Sequence, residues 1–249
     1  MTENTLPTRS DRLESETRRK KRGVGLFLRD LVIIFVVALL ISFMIKTFLI
    51  RSFYIPSGSM EQTLLLNDRI IVNQLQPGMF PVEHGDVVVF RDPGGWLPPQ
   101  LPVEQNAIVA GIDWILSVVG LSAPDSNDHL IKRVIGLPGD HVVCCNALGQ
   151  MSVNGVPLSE EPYVSLPPGE TEVSKDDFDV VVPADSLWVM GDNRYNSKDS
   201  RYNGTTPGKG FVPMDNVVGR AFVISWPLNR WGWLDDYPAV FSGVDEARD

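Results

Sequence analysis

Twenty residues, LVIIFVVALLISFMIKTFLI from Leu31 to Ile50, constrain this chain more than any other feature. As a helix they span about 30 Å, the thickness of a bilayer's hydrocarbon core. Lys46 lies near one end, where its long stem can carry the ammonium back to the interface. The charge-free part, Leu31 to Ile45, is short, so a cleaved secretory signal competes with a retained anchor. No Ala-x-Ala-like site follows, and the chain runs on as KTFLIRSFY, bulky and basic. A retained signal-anchor is the expectation, with a buried core helix as the other alternative. The basic cluster RRKKR (Arg18–Arg22) precedes the run. It predicts that the N-terminal side stays in the cytoplasm and that everything after Arg51 lies outside. The expected organisation is a cytoplasmic basic tail over residues 1–28, a transmembrane segment over 29–51 and an extracytoplasmic domain over 52–249. The first 23 residues, polar and rich in charge, are expected to be flexible.

The net charge of −9 conceals an asymmetry. Residues 1–51 hold 10 Lys and Arg against 5 Asp and Glu; residues 52–249 hold 12 against 26. A body with a balance of −14 repels phosphate, which excludes general nucleic-acid binding as its business. That body is long enough for one sizeable folded domain.

Past the anchor, helical periodicity gives way to short β-rich runs: RIIVNQL (Arg69–Leu75), DVVVF (Asp86–Phe90), IKRVIG (Ile131–Gly136), HVVCC (His141–Cys145), DVVVP (Asp179–Pro183), LWVMG (Leu187–Gly191) and VVGRAFVIS (Val217–Ser225). Gly, Pro, Asn and Asp separate them, and VNGV (Val153–Val156) carries an Asn-Gly hairpin signal. The pattern predicts a mainly β, antiparallel body with inserted loops. Residues 92–128 form one such excursion. It begins with the Pro/Gly-rich DPGGWLPPQLPVEQ and continues as the apolar NAIVAGIDWILSVVGLSA. The excursion is expected to pack on the body, with a dip into the outer membrane face as the alternative.

Cys144 and Cys145 are neighbours, and a disulfide between neighbours is rare, so two small thiols are expected. The three histidines, His84, His129 and His141, fall in no metal-ligand pattern.

YIPSGSMEQTL (Tyr54–Leu64) places two serines almost directly behind the anchor. Serine is a weak nucleophile until a base removes its proton, and no histidine here sits in a recognisable triad motif. A neutral lysine can do the same work. Lys132 is the candidate, because it begins a strand among Ile131, Val134 and Ile135, with Lys132 and Val134 on one face and Ile131 and Arg133 on the other. A lysine at its ordinary pKa of about 10.4 must fall by roughly 2–3 units, or about 3–4 kcal/mol, to act near neutral pH. Desolvation among apolar side chains supplies that much. Composition by itself favours a solvated strand lysine at this position.

IPSGSMEQTL, IKRVIGLPGD and GDNRYNSKDSR (Gly191–Arg201), in this order behind an N-terminal anchor, resemble the motif boxes of bacterial type I signal peptidases. The similarity runs from about Phe53 to Trp226. Three motifs in the right order are far more specific than any one of them. The resemblance implies a membrane-bound serine endopeptidase that removes N-terminal signal peptides from exported preproteins after small residues, Ala-x-Ala in type. It acts through a Ser-Lys dyad and an acyl-enzyme, with no cofactor and no metal. The implied partners are signal peptides, the bilayer and a neighbouring export machinery.

Position by position, the resemblance makes Ser59 the nucleophile and Lys132 the general base. Ser57 becomes the hydroxyl donor of an oxyanion hole completed by the Ser59 backbone N–H. Ser197 is implied to hydrogen-bond the lysine. Asp199 is implied to brace the region by pairing with Arg201, with Arg133 as a further partner. Asp192, Asn193 and Arg194 shape the same turn. Phe53, Ile55, Met60, Leu64 and Ile131 match the walls of the substrate pocket; from the residues alone they read equally well as core. This chain departs from the family pattern at Gln62 (usually proline), at Tyr195 (commonly aspartate), and in the insertion TTPGK (Thr205–Lys209). Two rival readings are a Ser–Lys self-cleaving repressor, which would carry a DNA-binding head, and a catalytically dead membrane-tethered scaffold.

Overall fold

The computed structural model describes residues 9–98 and 128–248, with side chains described from Leu26 to Ile45 and from Phe48 onward within them. Most of the excursion over 92–128 therefore lies outside the described residues. The chain divides between Thr47 and Phe48 into two compact units.

The first unit is one helix, α1 (Arg9–Phe48). Its segment Leu26–Ile45 is long and apolar enough to cross a membrane, and none of it is buried against protein. Helix already covers Arg9 onward, so most of the segment expected to be a flexible tail is helical. Neither proline nor glycine interrupts the stretch from Arg9 to Arg22, so no residue there breaks the helix.

The second unit consists of two antiparallel sheets. The larger contains β1 (Ile50–Tyr54), β2 (Arg69–Asn73), β3 (Val87–Arg91), β4 (His129–Gly136), β9 (Ser186–Met190), β10 (Val212–Pro213), β11 (Val217–Trp226) and β12 (Gly232–Trp233). Their order is β1-β2-β11-β3-β4-β9-β10, with β12 on β11. The smaller sheet contains β5 (His141–Cys144), β6 (Ser152–Val153), β7 (Val156–Pro157) and β8 (Phe178–Val181), in the order β7-β6-β5-β8. Asn154 (φ 51°) and Gly155 (φ 80°) form the two-residue turn between β6 and β7, the left-handed conformation an Asn-Gly hairpin requires.

The pleat of β4 sorts the interior. Ile131 joins Phe53, Ile55, Met60 and Leu64 in one apolar cluster, while Val134 joins Val88, Phe90 and Trp96 in another. β3 pairs with β4 from His129 to Arg133, whereas β9 pairs with β4 only from Arg133 to Gly136. One edge of β4 from His129 to Lys132 is thus left without a strand among the described residues, and β1 pairs only with β2.

Two sequence expectations are corrected. Cys144 and Cys145 are joined by a disulfide, not left as thiols. The chain leaves β5 after Cys144, so the alternation that would put successive side chains on opposite faces stops there. The apolar run read as anchor to Ile50 also ends earlier: Ile50 and Arg51 already belong to β1.

Candidate active site

Lys132 sits in the middle of β4, opposite Val88 of β3 and on the same face as Leu130 and Val134. Its amine is buried and donates to Ser59 Oγ at 2.7 Å and to the Ile131 carbonyl at 2.8 Å. Burial lowers its pKa from 10.5 to about 8, partly opposed by Asp199 and Asp192.

Ser59 lies in a tight turn after β1. Glu61 N–H donates to the Gly58 carbonyl at 3.1 Å, and Leu64 N–H to the Met60 carbonyl at 2.7 Å. Asn193 N–H donates to the Ser59 carbonyl at 3.1 Å, and Asn193 Nδ2 to Glu61 at 2.9 Å, which fastens the turn to the third motif. Gly191 is required at this crossing, because a Cβ there would collide with the Ser59 carbonyl and the Ser197 side chain. Ser57 Oγ lies 3.4 Å from Ser59 Oγ. Gln62 has φ 95°, a value the proline ring forbids, so the turn here differs from one built on proline.

Asp199 is buried and accepts from Gly191 N–H at 3.0 Å and from Arg201 Nε and Nη2, each at 2.8 Å. Burial works to raise its pKa, but Arg201 and the Gly191 N–H outweigh that and hold it below the ordinary value. Two implied contacts are corrected. Arg133 does not partner Asp199. Its strand face turns it to the other carboxylate of the motif, Asp192, which it meets through Nε at 2.9 Å and Nη2 at 2.8 Å. Ser197 lines the cleft beside Lys132, yet the amine's acceptors are Ser59 and Ile131.

Phe53, Ile55, Met60, Leu64 and Ile131 are all buried in one cluster directly behind the Ser59 turn. Residues that the sequence did not single out complete the site. Thr63 donates to Asp192; Glu160 pairs with Arg194 at 2.7 and 2.9 Å, while Tyr163 donates to Glu160 and lies under the Arg133 guanidinium at 4.3 Å. The acidic character of Glu160 was visible, but nothing local marked which cation it would meet. Among the described residues each histidine has an acidic neighbour, Asp140 for His84, Asp128 for His129 and Asp179 for His141, and Ser59 bonds to none of them. Among the described residues, no group of three or more His, Cys, Asp or Glu side chains could hold a metal ion. The arrangement can take a proton from a serine hydroxyl and return it.

The family described as "Signal peptidase, peptidase S26" matches residues 28–226. The "Probable signal peptidase I" of Mycobacterium leprae is 38% identical over 237 residues, which cover 86% of this chain and 80% of that protein. A "Signal peptidase I" of Mycobacterium tuberculosis is 38% identical over 234 residues, covering 87% and 78%. The "Probable signal peptidase I-2" of Synechocystis sp. is 35% identical over 236 residues, covering 95% and 87%.

Proposed function

The chain belongs to the signal peptidase family, peptidase S26, and on that premise we propose that it removes signal peptides from preproteins with Ser59 as nucleophile and Lys132 as general base. One observation carries the assignment: a buried amine 2.7 Å from a serine hydroxyl, with its pKa lowered to about 8. Neutral Lys132 accepts the Ser59 proton as the oxygen attacks the scissile carbonyl. The oxyanion is held by the Ser57 hydroxyl and the Ser59 N–H, donors of a kind worth several kcal/mol of barrier. Lys132 then gives the proton to the leaving amine, and water hydrolyses the acyl-enzyme by the same route. Asp199, tied to Arg201 and to Gly191 N–H, holds the third motif against the nucleophile turn.

The open edge of β4 before Arg133 and the free edge of β1 support binding of an extended substrate strand. The shallow groove between them is lined by Phe53, Tyr54, Ile55, Leu130 and Ile131. Bulky walls leave room for a methyl group, which favours alanine at the first and third positions before the cut. The segment Leu26–Ile45 would anchor the enzyme in the membrane, with its N-terminus cytoplasmic by the Lys/Arg balance and the body of 52–249 on the exported side, near the export machinery. Trp226, Trp231 and Trp233 are exposed and suit an interfacial role, whereas Trp96 is buried at 2% and cannot serve it.

The test is cleavage of a preprotein carrying Ala-x-Ala, comparing wild type with Ser59→Ala and Lys132→Ala. Loss of cleavage in both is expected, and full cleavage by either would overturn the dyad.

A further inference from the structure

Two concavities flank the start of β4. The groove described above touches β1 and the start of β4; the second is a cleft of about 490 Å³ that contains Ser59 and Lys132 themselves. Among the described residues, Leu130 alone lines both. A strand laid along the groove to the scissile bond must continue past Ser59 into the cleft. Beyond the dyad, the cleft is walled by Trp96 and Leu97 on one side and by Tyr195, Lys198 and Tyr202 on the other.

The Trp96 wall is fixed from several directions. Asp92 caps the loop by accepting N–H bonds from Gly94 at 2.8 Å, Trp96 at 3.1 Å and Leu97 at 3.1 Å. The inserted residues 205–209 lie against the same loop: a Cβ built on Gly95 would sit 3.7 Å from Thr206 Cγ2, and one on Gly94 3.9 Å from Pro207 Cγ. Lys198 reaches across the cleft and donates to the Trp96 carbonyl at 3.1 Å. Its ammonium is thereby held at the rim instead of sweeping through solvent.

Charge singles out this lysine. The body carries 26 acidic residues against 12 basic ones, yet among the described residues no carboxylate lines the cleft. Its charged lining groups are Lys132, buried and spoken for by Ser59, and Lys198, exposed. We infer that the cleft beyond the dyad receives the first residues of the mature protein and that Lys198 selects an acidic side chain among them. This inference rests on the peptidase reading above and adds to it the class of sequence preferred after the cut.

The experiment uses the full chain in detergent with peptides that share one Ala-x-Ala site and carry Glu or Lys at each of the first three positions after the cut. At one of these positions wild type should favour Glu over Lys in kcat/KM on the order of fivefold, the scale of an exposed ion pair. Lys198→Gln should erase the ratio, Lys198→Glu should invert it, and salt should compress it. A ratio unchanged in Lys198→Glu at all three positions overturns the inference. So does an equal loss on both peptides, which would mean that Lys198 only ties the loop. Failure of wild type to cut any of the peptides strikes instead at the peptidase reading.

Discussion

Arg133 and Asp192 meet through two parallel hydrogen bonds, 2.9 and 2.8 Å long, with both side chains wholly shielded from water. The pair joins the second motif to the third, and neither partner has solvent to fall back on. Asp192→Asn removes one charge and leaves the other buried, which should cost about 3–5 kcal/mol in stability. Urea unfolding checks this, and the double variant Arg133→Met/Asp192→Asn should recover part of the loss.

Lys132 is held in the folded protein at a cost. Its folded pKa of about 8 lies below the ordinary 10.5, so the unfolded chain binds more protons between those values. The penalty is fully present below about pH 8 and fades as pH rises to 10.5. Lys132→Met should therefore stabilise the enzyme by about 3 kcal/mol at pH 7 while abolishing cleavage. The gain should shrink to nothing near pH 10.5, as denaturation curves at two pH values would reveal.

The same value sets the rate profile. If Lys132 is the base, only its neutral amine can take the Ser59 proton, so kcat/KM should climb tenfold per pH unit below about 8 and level off above it. A profile flat from pH 6 to 9 would remove Lys132 from the role of base.

Leu64 and Ile131 are buried behind the nucleophile turn. On the proposed pocket, Leu64→Ala or Ile131→Ala should raise cleavage with valine relative to alanine at the position before the cut. The same change should lower stability by about 2–4 kcal/mol, since a cavity opens in the cluster. Rates on an alanine and valine substrate pair, taken with melting curves, separate the two effects.

Much of this body could be read from residue order alone. Most strands stood out as β-branched runs closed by Gly, Asn, Asp and Pro, and the Asn154-Gly155 turn announced itself. β1 did not, because Ile50 and Arg51 adjoin the apolar run and were absorbed into it, nor did β10 and β12, two residues each and too short to show alternation. The dyad positions came from motif order, but the environment of Lys132 did not: its desolvation depends on Val88 in another strand. The partner of Arg133 was missed for a related reason. Asp192 and Asp199 stand in the same motif, and only the twist of the turn decides which carboxylate faces which guanidinium.

In β4 the proposed base, Lys132, and the permanently charged guanidinium of Arg133 are consecutive residues, aimed at opposite sides of the sheet. Adding or deleting a single residue just upstream would flip the strand. It would then present a guanidinium that cannot deprotonate to the serine, and drop a lysine into a socket shaped for a forked donor. Every chemically active side chain would survive such a miscount, and the enzyme would still be dead.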